Sequence, residues 1–343
     1  MQLVRFGGTD LKLTKVGFGG IPIRRLSEDD AIRVIRHAIE KGINWFDSAN
    51  GYDISENYIG KAIKHYDRKS LHYFTKSHRR KPQEVREDIQ LSLKRAQIDY
   101  IDLYQFHLVT SSELWQQMMD DGTVDVVIEE KKKGIVKHIG VSTHKLEPAL
   151  EAMKHPEIET IQYPFNFIEC EAAVKVLAEA KKRDIGFISM KPFGGGLLDN
   201  ASACIGCLMQ HREIVFDPGF ERIEEVDEVI KLVQERTGLT ENDKKTIKKY
   251  KKELGDRFCR RCGYCSPCEH GVNIVTLMNL KSIAKRLSEK QLLDKKDNFY
   301  QAYESIDDCI ECGRCELKCP YELSIRKSIR ENAEFYRLLL ESE

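Results

Sequence analysis

The sequence lacks a charge imbalance, a long hydrophobic run and an export signal. Its 343 residues include 55 Lys and Arg against 55 Asp and Glu, so the composition gives no reason to expect a nucleic acid or another polyanion as a partner. No apolar run reaches the roughly 18 residues that a membrane span requires, and we expect no membrane insertion. Because residues 1–30 contain no apolar segment of the export type, the predicted location is the reducing cytoplasm, where disulfides are rare.

The composition changes once along the chain, near residue 237. A chain of 343 residues has room for about two domains. The segment 237–257 is dense in charge and poor in bulky apolar residues, which is typical of an exposed helix that connects two hydrophobic cores. We therefore predict a first domain over residues 1–236, a charged connecting helix over 237–255 and a second domain over 256–343.

Short apolar runs alternate with longer amphipathic segments throughout the first predicted domain. Their spacing leaves room for one crossover helix each, as parallel strands require. Eight runs are predicted to be strands: VGFG (16–19), INWFD (43–47), HYFTK (72–76), IDLYQFH (101–107), KHIGVS (137–142), ETIQY (159–163), IGFISM (185–190) and EIVF (213–216). Eight such units predict an α/β fold of the (β/α)8 or TIM-barrel type.

The segments between these runs carry helix signals. Ser27 and Asp30 form an S-x-x-D capping box before an apolar face that includes Ala31 and Ile35. A doubly wound open sheet is the alternative architecture, but no G-x-G-x-x-G motif stands at a first strand-to-helix turn. Residues 3–20 are expected to form a hairpin across the bottom of the barrel, followed by its first strand.

Eight of the eleven cysteines lie near the C-terminus in two runs. The second run reads C-x2-C-x2-C-x3-C-P, the spacing of bacterial ferredoxins, in which three thiolates bind one cubane cluster and the fourth binds a neighbouring cluster. Structural zinc usually takes two separated pairs, whereas each run here offers four thiols at steps of three or four residues. The expected compartment disfavours disulfides. The spacing therefore predicts iron–sulfur clusters.

Under the ferredoxin exchange rule the eight thiols divide between two 4Fe–4S clusters. The predicted ligand sets are Cys259, Cys262, Cys265 and Cys319 for the first cluster, and Cys309, Cys312, Cys315 and Cys268 for the second. The stretch between the runs has helical apolar spacing, and the region from 256 to about 330 resembles the α-helical dicluster ferredoxin modules fused to larger redox enzymes. Cys204 and Cys207 form a further C-x-x-C, for which we predict a place in the core, with a redox role as the alternative.

Four chemically active side chains stand at the predicted C-terminal ends of successive strands. Asp47 ends the second run, Tyr52 lies in the loop after it, Lys76 ends the third run and His107 ends the fourth. In a barrel of this kind these positions face one mouth. Each residue alone has a structural explanation, as a helix cap, a loop aromatic, a solvated strand end or a buried histidine. Four in register predict a shared site.

These four residue types suit the reduction of a carbonyl group. As hydride reaches the carbon, the oxygen needs a proton, and a tyrosine with its ordinary pKa of about 10 is a weak acid at neutral pH. A nearby ammonium favours the phenolate and lowers the pKa of the tyrosine, and a carboxylate holds the ammonium in place. In this hypothesis Tyr52 is the acid, Lys76 tunes it, Asp47 orients Lys76, and His107 orients the carbonyl.

The sequence around these residues is similar to the aldo/keto reductase family. The resemblance rests on INWFDSANGYDISENYIGKAI, FTKS and YIDLYQFH, covers about residues 1–236 and, together with the cysteine runs, points to the subgroup with a C-terminal ferredoxin-type domain. It implies NADP(H) or NAD(H) as cofactor. By resemblance the cofactor contacts are Gly19, Gly20, Asp47, Ser142, Thr143, Gln162, Met190, Lys191, Pro192, Phe193 and Gly194.

Two departures from the family pattern bear on the cofactor. Met190 stands where an aromatic ring normally packs against the nicotinamide, although a thioether can also pack on a ring face. The segment after the eighth run offers Arg222 among acids in place of the basic residues that usually bind the 2′-phosphate. The preference between NADP and NAD is therefore open, and flavin is an alternative cofactor.

Two functions compete at this point. Iron–sulfur clusters pass single electrons, whereas a nicotinamide delivers two as a hydride. The first function is a reductase of a small aldehyde or ketone whose clusters serve structure or electron transfer, with a ferredoxin or a flavoprotein as partner. The alternative is an electron-transfer subunit of a larger redox complex, whose barrel is not itself a nicotinamide-dependent reductase.

Overall fold

The computed structural model describes residues 1, 3–52, 54–254, 257–259, 263–284, 298–319 and 321–341. The chain divides into two compact units, Met1–Lys245 and Thr246–Glu343. Each unit has a hydrophobic core of its own. Over the described ranges, no helix combines the length and the apolar character needed to cross a bilayer.

The first unit is an eight-stranded parallel barrel preceded by a hairpin. The hairpin strands are β1 (Leu3–Arg5) and β2 (Lys12–Thr14), and the barrel strands are β3 (Phe18–Gly19), β4 (Trp45–Asp47), β5 (His72–Ser77), β6 (Ile101–Phe106), β7 (Val136–Ser142), β8 (Thr160–Pro164), β9 (Gly186–Met190) and β10 (Ile214–Phe216). Each barrel strand pairs with the next in chain order. Two parallel bridges, Val16 with Phe216 and Gly19 with Gly219, join the last strand to the first. This order confirms the predicted barrel, because a doubly wound sheet reverses its strand order.

Helices follow the barrel strands as the spacing predicts. They are α1 (Glu28–Glu40), α2 (Ser55–Ile63), α3 (Pro82–Ala96), α4 (Ser112–Asp120), α5 (Thr123–Lys132), α6 (Leu146–Ala152), α7 (Glu171–Lys182), α8 (Ala201–Leu208) and α9 (Ile223–Glu235). Helix α1 begins as predicted, because Ser27 Oγ accepts a hydrogen bond from Asp30 N at 3.2 Å. Its apolar face buries Ala31 and Ile35 in the core of the first unit.

The N-terminal hairpin closes the end of the barrel opposite the strand C-termini. Phe6 and Leu13 are fully buried there, and the Phe6 ring stacks on Phe74 with 6.3 Å between centroids. The indole Nε1 of Trp45 donates to Thr14 O at 2.8 Å. The predicted plug is therefore present, and it leaves the opposite mouth of the barrel for chemistry.

The charged segment after the barrel forms helix α10 (Glu241–Leu254), which crosses the division between the two units. Thr240 and Asp243 cap it reciprocally: Asp243 N donates to Thr240 Oγ1 at 3.1 Å, and Thr240 N donates to Asp243 Oδ2 at 2.8 Å. The second unit continues with α11 (Ile274–Ala284), α12 (Asn298–Glu304), α13 (Arg314–Leu317) and α14 (Ile325–Glu341). Asn332 Nδ2 of α14 donates to Leu277 O of α11 at 2.9 Å, which holds these two helices together.

The close approach of α2 to α3 depends on Gly60. A Cβ atom at this position would lie 2.3 Å from Ala96 O, a backbone atom that cannot rotate away. We therefore expect Gly60→Ala to lower the free energy of unfolding by about 1–3 kcal/mol, although alanine itself favours a helix. Gly238→Ala is the control, because its Cβ would meet Gln210 Cγ at an ordinary 3.5 Å. Urea unfolding of both variants measures the difference, and equal stabilities would contradict the packing argument.

Candidate functional site

The structure brings the four predicted strand-end residues together at one mouth of the barrel. Lys76 Nζ, from β5, donates to Asp47 Oδ2 at the end of β4, and to Ser48 O at 2.8 Å. The same Nζ lies 5.2 Å from the centroid of the Tyr52 ring. The rings of Tyr52 and His107 meet edge to face, with 5.6 Å between centroids. A phenol, an ammonium, a carboxylate and an imidazole thus meet at one site.

A layer of buried amides lies beside Asp47. Gln162 Nε2, from β8, donates to Asp47 Oδ2 at 3.2 Å and to Asp217 Oδ2 at 2.7 Å. Gln105 Nε2, from β6, donates to Gln162 Oε1 at 3.1 Å and has a longer contact of 3.4 Å to Asp47 Oδ1. These bonds fix the carboxyl of Asp47 against the lysine, since burial strengthens each of them.

The pKa of Tyr52 is raised well above its usual value, first by burial and then by the charges of Asp47 and Asp217. The net direction is opposite to the lowering that we predicted, because burial and the two carboxylates act on the phenol more strongly than the cations do. The reason is geometric: the ammonium of Lys76 is bound to Asp47 and faces the ring of Tyr52. The phenol therefore keeps its proton at neutral pH, which a proton donor must do.

The imidazole of His107 is neutral at physiological pH. Burial lowers its pKa well below the usual value, and the positive charge of Lys76 lowers it further. The ring of His78 lies against it, with 3.8 Å between centroids. Among the residues described, nothing donates to or accepts from the buried Nδ1 of His107. A neutral ring at this place can direct a carbonyl oxygen without carrying charge.

The residues predicted to contact a nicotinamide carboxamide are buried at the same mouth. They differ in which of their hydrogen-bonding atoms are already engaged. Ser142 Oγ accepts from Leu108 N at 3.1 Å, a bond that leaves its own hydrogen for another acceptor. The hydroxyl of Thr143 donates to Val109 O at 2.6 Å. Both ends of the Gln162 amide are bound within the amide layer. Ser142 fits the role best.

The two glycines predicted to approach the cofactor are already required by the barrel itself. A Cβ atom on Gly19 would lie 2.6 Å from Asp217 O, and one on Gly20 would lie 2.6 Å from Ser55 Oγ. Gly19 N also donates to Pro218 O at 2.8 Å across the barrel seam. Close packing therefore explains both glycines, and their contact with a cofactor stays a prediction.

The segment after β9, which holds the predicted cofactor contacts 191–194, is a succession of tight turns. Lys191, Gly194, Gly195 and Gly196 all have positive φ angles, between 56° and 83°, which glycine adopts without strain. Gly194 N donates to Lys191 O at 2.8 Å, and Leu198 N donates to Phe193 O at 3.1 Å. Met190 lies half-buried at the strand end before these turns. Contacts of Lys191, Pro192, Phe193 and Gly194 with a pyrophosphate stay predictions.

Arg222 is already paired. Its Nη2 donates to Glu225 Oε1 at 2.9 Å, at the start of α9, and its side chain is 72% exposed. The neighbouring Glu221 pairs with Arg25 at 2.6 Å. In the region after the eighth strand, the arginine expected to bind a 2′-phosphate is therefore already bound to a carboxylate.

The cysteines of the second unit line two separate cavities. The first cavity is lined by Cys268, Cys309, Cys312 and Cys315, together with Cys265. The second is lined by Cys259, Cys265 and Cys319. This grouping places Cys268 with the later run and Cys319 with the earlier run, as the exchange rule requires. Cys262 lies outside the described residues.

The thiols suit the binding of an iron–sulfur cluster. None of the ten cysteines that the structure describes forms a disulfide bond. The backbone N–H of Arg314, and then its guanidinium, hold the pKa of Cys312 below its usual value, which favours the thiolate that a metal requires. Within the described ranges, no three His, Cys, Asp or Glu side chains are placed to hold a single metal ion.

Cys204 and Cys207 belong to the core of the first unit. They lie on α8 and are 0% and 8% exposed. Burial raises the pKa of Cys204 well above its usual value, which disfavours the reactive thiolate. The structural interpretation of this C-x-x-C is the one that the geometry supports.

Two residues of the site, Asp217 and Gln105, are not among those predicted from the sequence. The sequence position of each residue indicates a role at the site. Asp217 directly follows the eighth strand, where barrel chemistry is usually found. Gln105 is a polar residue inside the otherwise apolar end of a fully buried strand, and buried polar groups need partners.

Comparisons with known proteins agree with this architecture. The model of the aldo/keto reductase family matches residues 15–250, and that of a 4Fe–4S dicluster domain matches residues 258–324. L-galactose dehydrogenase of Arabidopsis thaliana is 28% identical over 216 residues, which are 58% of this chain and 67% of that protein. Aldo-keto reductase YhdN of Bacillus subtilis is 30% identical over 221 residues, 58% of this chain and 64% of that protein.

The fold also has solved counterparts. The holo form of an aldo-keto reductase from Bacillus halodurans is similar with a TM-score of 0.64 and 23% identity, over 73% of this chain and 96% of that chain. At this identity the likeness shows the shared barrel. The chain spans 60–67% of the length of the first curated relatives that it matches.

Proposed function

Because this chain belongs to the aldo/keto reductase family of oxidoreductases and carries a 4Fe–4S dicluster domain, we propose that it reduces the carbonyl group of a small aldehyde or ketone with hydride from NAD(P)H. The observation that carries the proposal is the convergence of Tyr52, Lys76, Asp47 and His107 at one site. The relatives named above are dehydrogenases or reductases by name, which supports the same reaction class.

The chain's own residues account for the proton side of the reaction. The cofactor, when bound, supplies the hydride. The neutral imidazole of His107 directs the carbonyl oxygen toward Tyr52, and Tyr52 gives that oxygen its proton as the hydride arrives. The ammonium of Lys76 stabilises the phenolate that remains, and Asp47 holds the ammonium in place. We propose that Ser142 and Met190 hold the nicotinamide.

We propose that the chain uses NAD(H) at least as well as NADP(H). The 2′-phosphate of NADP needs a free cation, and Arg222 is bound to Glu225 among further acids. Releasing the arginine would cost part of the binding energy that a phosphate contact provides. Titration with NADH and NADPH measures this directly, and a marked preference for NADPH would contradict the proposal.

A direct assay tests the reaction. Under anaerobic conditions the protein is mixed with NADH or NADPH and a panel of small aldehydes and ketones, and the absorbance of nucleotide and clusters is followed together. We expect substrate-dependent oxidation of the nucleotide. If no carbonyl compound is reduced while the clusters accept and donate electrons, the electron-transfer subunit becomes the better account.

We propose further that the second unit holds two 4Fe–4S clusters, with exchanged ligands. Cys268→Ser and Cys312→Ser are expected to remove the same cluster, because both side chains line one cavity, whereas Cys319→Ser is expected to remove the other. Iron per chain would fall from about eight to about four in each variant. Cys204→Ser is the control, since its thiol is buried in the first unit, and it is expected to keep all the iron.

Electron paramagnetic resonance of the reduced variants tells the two centres apart. Cys268→Ser and Cys319→Ser are expected to lose different signals, and identical spectra would contradict the exchange. Cys312 is exposed, so a ferredoxin or flavoprotein could reach the cluster that it binds. We propose such a partner, and the reducing cytoplasm as the place where exposed clusters persist.

A further inference from the structure

A second carboxyl group lies beside Asp47, and the proposed reaction does not use it. Asp217 directly follows β10 and is 9% exposed. One nitrogen, Gln162 Nε2, donates to an oxygen of both carboxyl groups, at 3.2 Å for Asp47 and 2.7 Å for Asp217. The shared nitrogen keeps the two carboxyl groups close to each other. They form a buried pair, which we call the carboxyl dyad.

Hydrogen bonds where the last barrel strand meets the first hold this dyad together. Asp217 N donates to Ser189 O of β9 at 3.4 Å, and Gly19 N, from β3, donates to Pro218 O at 2.8 Å. Gly19 has no Cβ, and one would meet Asp217 O at 2.6 Å. The position of Asp217 beside Asp47 is therefore set by the pairing of the first and last strands. Within the part of the chain that the structure describes, the buried Oδ1 of Asp217 has no hydrogen-bond partner.

The charges around the dyad do not balance if both carboxyl groups are ionised. The cation that acts on both is Lys76, which is bound to Asp47. The other titratable group facing both carboxyls is Tyr52, which is neutral, and Arg24 acts on that phenol from the mouth of the barrel. Burial and the charge of Asp47 raise the pKa of Asp217 well above its usual value. Two buried carboxyl groups that accept from one amide nitrogen favour a proton held between them.

We propose that Asp47 and Asp217 share one proton and release it when a positively charged ligand, the oxidised nicotinamide ring, lies beside them. This inference rests on the proposed function, and it makes Asp217 a positioning residue that acts through Asp47 and Lys76. It also gives the site an internal source of protons for Tyr52.

The proton movements balance. After Tyr52 has given its proton to the carbonyl oxygen, the phenolate takes one from Lys76 Nζ, and the resulting amine takes the proton of the dyad through Asp47 Oδ2. Tyr52 and Lys76 return to their starting states, and the dyad has lost one proton. Its second negative charge then compensates the positive charge that hydride donation leaves on the cofactor. The net charge of the buried site is unchanged, so no charge has to be desolvated during the reaction.

The first test needs no nucleotide. Infrared difference spectroscopy at neutral pH, with wild-type protein against Asp217→Asn, is expected to show the carbonyl stretch of one protonated carboxyl group that the variant lacks. Asp243→Asn is the control: burial raises the pKa of Asp243, but hydrogen bonds from Ser202 and Thr240 outweigh it and hold that pKa below its usual value. The control is expected to keep the band. A wild-type spectrum without the band, or a band that persists in Asp217→Asn, overturns the proposal.

The second test measures the release. Calorimetric titration with NAD⁺, in two buffers that differ in ionisation enthalpy, is expected to show up to about one proton released per site in the wild type and none in Asp217→Asn. NADH is expected to release none. The preference for NAD⁺ over NADH is expected to fall by about tenfold in the variant, because it lacks the second buried charge. Equal proton release from the wild type and from Asp217→Asn refutes the coupling between the dyad and the bound nucleotide. A protonated carboxyl together with no binding of either nucleotide refutes the proposed function and leaves the shared proton established.

Discussion

Replacing Tyr52 with Phe is expected to lower the turnover number for carbonyl reduction by about 10²- to 10⁴-fold, the usual contribution of a positioned general acid. The change removes the hydroxyl and keeps the ring, so the edge-to-face contact with His107 at 5.6 Å between centroids can persist. Affinity for the nucleotide is therefore expected to stay the same. Anaerobic single-turnover experiments, with a carbonyl compound found in the screen, measure the chemical step directly.

Tyr66→Phe is the matched control for this prediction. Tyr66 is a half-buried tyrosine just beyond the end of α2, packed against the core of the same barrel, and its loss of a hydroxyl is expected to leave turnover unchanged. An undiminished rate in Tyr52→Phe would show that another group protonates the oxygen. Loss of nucleotide binding in that variant would instead assign Tyr52 a role in holding the cofactor.

Replacing Lys76 with Met is expected to reduce the free energy of unfolding of the barrel by about 3–5 kcal/mol, because it leaves the buried carboxylate of Asp47 without its ammonium. Lys76 is 2% exposed and Asp47 is 3% exposed, so water cannot replace the lost partner. The fluorescence of Trp45 and Trp115, both buried in the first unit, reports the unfolding of that unit in denaturant.

An exposed pair in the same barrel provides the comparison. Lys61 and Glu28 lie 2.6 Å apart with side chains 41% and 46% exposed, and Lys61→Met is expected to cost less than about 1 kcal/mol. The double variant Lys76→Met with Asp47→Leu is expected to be more stable than Lys76→Met alone, because no buried charge then remains unpaired. A Lys76→Met protein as stable as Lys61→Met would mean that the buried pair contributes little, and that Asp47 has another way to shed its charge.

The local features of the barrel could be read from the sequence because each depends on neighbouring residues. The eight strands follow apolar runs of the expected length, and the cap of α1 depends on Ser27 and Asp30, three residues apart. The cysteine runs have a spacing that few folds share. The rule that barrel chemistry lies at strand ends was enough to place the four site residues at one mouth.

The effect of Lys76 on Tyr52 could not be read in the same way. Proximity in the predicted order suggested that the ammonium lowers the pKa of the phenol, whereas the structure binds that ammonium to Asp47 and adds Asp217 to the same pocket. The sum of burial and three charges decides the direction, and Asp217 lies 170 residues from Asp47 in the chain. The order of residues in the sequence does not reveal such a sum.

By itself, then, the sequence determined the fold class, the order of the strands and the residue types available for chemistry, because periodicity and short-range spacing are properties of neighbouring residues. Only the tertiary structure decided which of these groups share a hydrogen bond and which carry charge. The closing of the barrel brings Asp217, which follows β10, near Asp47 at the end of β4, and burial there disfavours a second negative charge.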